Sequence, residues 1–124
     1  MEQLFVYGTL RPHRAGVDEQ DTRNYGHIAK LVTAQEPATV AGKLHDYGQF
    51  PGALPGEGTV QGDLLTVSDL ALQRCDALEG HPRFFHRERV KVQTATGERE
   101  AWIYWAPDRF ASRDVIASGD WFDR

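Results

Sequence analysis

The sequence predicts an α+β fold: a small mixed or antiparallel β-barrel-like sheet with flanking helices. Three observations point there. Residues 86–106 read as two period-two strands around the turn Ala95-Thr96-Gly97. Residues 68–79 carry the capping and spacing signals of a helix. Leu4, Phe5, Val6 and Tyr7 are four consecutive large apolar or aromatic residues, the mark of a strand buried on both faces. Strands mixed with helices and ending in an antiparallel hairpin make a sheet able to curl into a small barrel. At 124 residues, one domain covering 1–124 is expected, large enough to bury a core without disulfides.

The first strand spans residues 2–7. Gly8 cuts it and Pro12 closes it. Glycine lets a ligand approach the main chain closely, and the loop after a buried strand is a common binding site. Taken alone, it also reads as an ordinary turn. Residues 8–20 are polar loop. A helix is expected at 21–31, with Asp21 as N-cap and Asn24, His27, Ile28 and Leu31 on one face, weakened by Gly26. After Pro37, Val40, Gly42 and Leu44 share one side of a strand ending near Tyr47. Residues 48–58 hold four glycines and two prolines and read as an irregular loop packed by Phe50, Ala53 and Leu54. A strand at 59–67 follows. Ser68 then caps a helix to Glu79, with Asp69 in the first turn and Gly80 at the C-terminal stop. In the hairpin, Val90 and Val92 share one face, and Ala101, Ile103 and Trp105 another. Trp121 and Phe122 near the end must dock on the body or meet a partner chain.

The net charge of −4, without a basic cluster, gives no reason to expect nucleic acid or an anionic membrane. The single cysteine, Cys75, excludes an intramolecular disulfide and fits a reducing compartment. No apolar run approaches bilayer length, and the first residues do not resemble a signal peptide. A cytoplasmic location is expected. His13, His27, His45, His81 and His86 show no metal-ligand spacing.

Glu79 is the informative titratable residue. Leu72, Cys75 and Glu79 are spaced by three and four, so they share a helix face that is otherwise apolar. Burial and the helix C-terminus both disfavour the charged carboxylate and raise its pKa, as a general acid/base near neutrality requires. The plainer reading is a solvated glutamate at a frayed helix end. Cys75 reads as a small core residue. Arg87 lies in register with Arg89 and Lys91, on a wet face or in a structural ion pair. Tyr104 is a core aromatic or a hydroxyl at a pocket rim.

Val6-Tyr7-Gly8-Thr9-Leu10-Arg11, Phe50-Pro51-Gly52-Ala53-Leu54, Val60-Gln61-Gly62, Asp76-Ala77-Leu78-Glu79-Gly80, Arg87 with Val90 and Val92, and Tyr104 occur in this order. The ordered set resembles the gamma-glutamylcyclotransferase-like family, which includes AIG2-like proteins. The ending Ser118–Arg124 is similar to small bacterial members of the YtfP type. The resemblance implies a small β-barrel with flanking helices and a pocket between the first-strand loop and the acidic helix end. It implies that Tyr7, Gly8, Thr9 and Leu10 hold the substrate's amino and carboxylate groups largely through backbone, with Tyr104 also in the site. It implies Glu79 as catalytic acid/base, cyclising a γ-glutamyl amine to 5-oxoproline and free amine with no metal or cofactor. The family usually has tyrosine two residues before the arginine; this chain has Phe85. The expected partner is a small γ-glutamyl molecule, with neither nucleic acid nor membrane, and the chain is expected as a monomer or weak homodimer. A non-catalytic module binding γ-glutamyl or amino-acid-like ligands, and a domain dimerising through its aromatic tail, are the alternatives.

Overall fold

The computed structural model describes residues 1–124. Five strands ring a core: β1 (Glu2–Val6), β2 (Val32–Asp46), β3 (Pro51–Val67), β4 (His86–Thr94) and β5 (Gly97–Trp105), in the spatial order β1-β3-β2-β4-β5. One α-helix, α1 (Asp69–Glu79), joins β3 to β4. The β2–β3 and β4–β5 pairs are antiparallel hairpins. The ring closes weakly: β5 meets β1 in parallel only at Trp102 and Leu4, and β3 in parallel only at Ala53 and Trp105. A hydrogen bond from Ala106 N to Ala53 O continues that last contact.

The run from Leu4 to Tyr7 is buried throughout, because β1 is paired with β3 along its length and touches β5 on the other side. Alternation in β5 puts Ala101, Ile103 and Trp105 inside, and in β2 Val40 and Leu44. Ser68 caps α1, its hydroxyl accepting from Ala71 N at 3.2 Å. Gly80 ends the helix in the left-handed region (φ 68°), where a side chain would be strained. Ala71, Leu72 and Cys75 press the helix onto the ring.

Three expectations are corrected. No helix forms over 21–31; three short 3-10 turns occupy Glu19–Thr22, Tyr25–His27 and Ala29–Leu31. Gly26 weakens helix there, and tertiary bonds compete for the backbone: Asn24 N donates to Thr9 O at 3.0 Å, and Trp121 Nε1 donates to Asp21 O at 3.1 Å. Strand β2 begins before Pro37, at Val32. Proline is tolerated because β2 meets β4 only at Ala38 and Thr39, leaving its start as an edge on that side. Most of the glycine- and proline-rich segment 48–58 belongs to β3. Residues 48–50 form the turn into β3, and residues 55–58 leave the ladder, where register steps from Ala41–Thr59 to Lys43–Leu54. A 3-10 turn at Asp108–Ser112, unforeseen in the sequence, buries Phe110, whose ring stacks on Tyr47 with centroids 4.1 Å apart.

The C-terminal segment docks on the body, with Trp121 fully buried. Arg11 binds it: its guanidinium pairs with Asp63 and with Asp120, each at 2.8 Å, and lies over the Phe122 ring. Arg124 pairs with Asp21 at 3.1 Å. The tail thus fastens both ends of the loop that runs from Arg11 to Asp21. No helix is long and apolar enough to cross a membrane.

Candidate active site

A cavity opens where the end of β1 faces the C-terminal end of α1. Its walls include Tyr7, Gly8, Thr9, Leu10, Glu79 and Tyr104. The structure therefore brings these six residues to one cavity, while Cys75 and Arg87 lie outside its lining. It adds Arg23 and Asn24 from the 3-10 turns, Phe50 and Pro51 from the β2–β3 turn, Leu78, and the aromatic pair Phe84 and Phe85.

The loop after β1 presents main chain. Gly8, Thr9 and Leu10 are buried, yet their N–H groups donate to no protein acceptor. Buried N–H groups are ordinarily paired, so three successive free donors in residues lining a cavity can receive an anionic or carbonyl ligand. Gly8 is required by close packing, not by a left-handed conformation: a Cβ there would meet the Pro51 ring at 2.8 Å. The Thr9 side chain is engaged elsewhere, its hydroxyl accepting from Asn24 Nδ2 at 2.9 Å. Tyr7 is likewise committed to the fold. Its hydroxyl donates to Tyr104 O at 2.6 Å and accepts from Ala53 N at 3.1 Å, tying β1 to β5 and β3. Burial and then the nearby Glu79 charge push the Tyr7 pKa up, so the phenol stays protonated.

Glu79 lines the same cavity from the end of α1. The residue is partly exposed because the cavity opens onto it, but protein surrounds the carboxyl group closely. Burial pushes its pKa up to about 7. The group is thus near half-ionised at neutral pH, as proton transfer in both directions requires. Cys75, one turn earlier, has its thiol pushed up to about 12, first by burial and then by the charges of Glu79 and Asp76. It is a neutral core residue, not a nucleophile.

Asp76 organises the wall behind Glu79. It accepts two hydrogen bonds from Arg87, at 2.7 and 3.2 Å, and one from the Tyr104 hydroxyl at 2.7 Å. Burial works to raise its pKa, but the bonds from Arg87 and Tyr104 and the Arg87 charge outweigh it, and the net shift is downward. Arg87 therefore forms a structural ion pair and is not a free member of the wet face of β4. The Tyr104 hydroxyl points to helix α1, so this residue offers the cavity its ring and not a hydroxyl at the rim. Phe85 is buried against Phe84, Phe50 and Phe110. With phenylalanine at this position, this wall is apolar.

Arg23 and Phe84 went unseen in the sequence, and Phe50 and Phe85 were noted there without being placed on a common wall, because their approach depends on the 3-10 turns and on the Phe50 and Phe84 loops meeting in space. The nearest signal was the Gly8–Arg11 motif, whose partners cannot be read locally.

A family model described as gamma-glutamyl cyclotransferase, AIG2-like, matches residues 4–123. The chain is 33% identical to the gamma-glutamylcyclotransferase family protein YtfP of Escherichia coli over 122 residues, covering 98% of this chain and 97% of that one. It is 31% identical to a putative gamma-glutamylcyclotransferase of Methanocaldococcus jannaschii, covering 99% of this chain and 98% of that protein. Among solved structures, it superposes on the solution structure of E. coli YtfP with a TM-score of 0.58 at 31% identity, covering 98% and 97%. It superposes on YkqA of Bacillus subtilis with a TM-score of 0.74 at 28% identity, covering 97% of this chain and 39% of that one. A mouse AIG2-like protein shares the fold, with a TM-score of 0.73 at 21% identity over 94% of this chain and 86% of that one. Fold and cavity thus define a small ring-sheet protein with an acidic helix end facing a main-chain donor loop. The chain belongs to the gamma-glutamylcyclotransferase, AIG2-like family.

Proposed function

We propose that this protein cyclises γ-glutamyl amines to 5-oxoproline and the free amine, with Glu79 as the proton carrier. One observation carries the reading: a carboxyl group with its pKa pushed up to about 7 shares a cavity with three unpaired backbone N–H groups. The substrate supplies its own nucleophile. Its α-amine attacks the γ-carbonyl and closes a five-membered ring. Glu79, ionised, takes a proton from that amine and returns it to the departing nitrogen as the amide C–N bond breaks. The N–H groups of Gly8, Thr9 and Leu10 hold the glutamyl carboxylate or the oxyanion developing on the carbonyl. Because the reaction is intramolecular, folding the substrate into the reactive shape supplies much of the acceleration. One carboxyl group serves both transfers, so the residues themselves complete the reaction.

The test is release of 5-oxoproline from a set of γ-glutamyl compounds, with Glu79→Gln as control. Turnover by the native protein and its loss in the variant is the expected result. Binding of these compounds with no turnover would mark the protein as a non-catalytic binding module.

A further inference from the structure

The cavity has a second polar feature, a side chain that bonds Gln49 O beside Phe50. Arg23 is the sole cationic side chain on its walls, and Glu79 the sole acidic one. Arg23 is held in place by a single nitrogen: Nη1 donates to Gln20 O and to Gln49 O, both at 2.9 Å. Nε and Nη2 have no protein partner, and no carboxylate pairs with the guanidinium. Arg11 and Arg14, by contrast, pair with Asp63, and Arg124 with Asp21. An oriented, unpaired guanidinium with free donors fits a carboxylate.

Beside it the wall is apolar. Phe50, Leu78, Phe84 and the buried Phe85 line the same cavity. Leu78 is 38% exposed, apolar surface left for a ligand to cover.

Resting on the cyclisation reading above, we propose that Arg23 is a specificity residue for the leaving amine. It holds a free carboxylate on that amine while the aromatic wall takes an apolar side chain. The preferred substrates are then γ-glutamyl conjugates of apolar amino acids. The glutamyl half keeps the backbone donors of Gly8–Leu10, and the departing half takes Arg23.

Matched substrates isolate the carboxylate: γ-glutamyl-leucine and γ-glutamyl-leucinamide differ only there. Both are assayed for 5-oxoproline release by the native protein, Arg23→Gln and Arg23→Lys, with melts as a control on folding. Direct binding of both compounds is measured by calorimetry in a Glu79→Gln background, with and without Arg23→Gln. The expected result is a rise in KM and Kd of about tenfold or more for γ-glutamyl-leucine in Arg23→Gln. Arg23→Lys should restore part of the loss, and γ-glutamyl-leucinamide should shift by less than about twofold. An equal loss for both compounds would show that Arg23 serves the glutamyl half or the loop's shape, and overturns the proposal; so does no loss for either. If Arg23→Gln does not fold, Arg23→Lys decides alone, through the same ratio between the two compounds. Carboxylate-selective binding without turnover would leave the subsite standing and remove the cyclisation. Turnover without selectivity would do the reverse. Neither binding nor turnover of either compound refutes both.

Discussion

Replacing Glu79 by glutamine separates its chemical role from its effect on stability. In the native fold, burial holds the carboxyl pKa at about 7, against an ordinary value of 4.5. Below pH 4.5 the group is protonated in both folded and unfolded chains and contributes nothing. Between pH 4.5 and 7 the unfolded chain releases the proton while the folded chain keeps it, so stability falls with rising pH. Each pH unit in this window costs about 1.4 kcal/mol, which sums to about 3 kcal/mol at most. Solvent entering the open cavity screens the group and lowers this to about 1–2 kcal/mol. Glutamine keeps the shape and does not titrate. Its fixed cost of an imperfectly paired amide is the same at every pH and cancels when two pH values are compared. The melting temperature of Glu79→Gln relative to the native protein should therefore rise by about 4–8 °C between pH 5 and pH 8. Turnover should fall at least about a hundredfold at both pH values. Paired thermal melts and a 5-oxoproline assay measure the two effects independently. A melting difference that ignores pH would mean that the carboxylate is solvated and the proton-carrier reading is wrong. So would an NMR titration placing Glu79 at or below an ordinary glutamate pKa.

Other outcomes follow from the same geometry. Gly8→Val drives a branched side chain into Pro51 and should abolish binding of an unreactive γ-glutamyl analogue, whereas Thr9→Ala, whose N–H remains, should bind within a fewfold of the native protein; calorimetry with melts as control would expose the opposite ranking. Tyr104→Phe removes the bond to Asp76 and should cost about 1–2 kcal/mol in denaturant unfolding with little change in KM, since the hydroxyl faces α1. Asp76 has a lowered native pKa, so its pairing with Arg87 stabilises the fold above the ordinary aspartate pKa and is lost as pH falls through the native value; Asp76→Asn should flatten the acid limb of a stability–pH curve. Arg11→Met strands Asp63 with Arg14 as its remaining cation and should cost about 3 kcal/mol by the same unfolding measurement.

Local patterns in the chain were sufficient for much of this protein. Consecutive large apolar residues marked Leu4–Tyr7 as a buried strand, because no side of it is left to water. Period two marked β4 and β5, and Ser68 and Gly80 marked the ends of α1, because caps answer the unpaired backbone groups of the first and last turns. The spacing of Leu72, Cys75 and Glu79 put a carboxylate on an apolar helix face, and burial supplies the pKa shift that this position implies. The ordered motifs identified the family. What tertiary structure decided depends on residues far apart in sequence. Residues 21–31 have helical spacing, but Thr9 and Trp121 claim their backbone, and short 3-10 turns result. Residues 51–54 look like loop, but pairing with Lys43–Asp46 holds them in a strand. Tyr104 reads equally as a core aromatic or a rim hydroxyl, and a long-range bond to Asp76 turns its hydroxyl toward the fold. Arg23 reaches the cavity because two carbonyls, one of them 26 residues away, orient it there. Local propensity is a matter of tenths of a kcal/mol per residue, and a buried hydrogen bond or packed ring outweighs it wherever the two disagree.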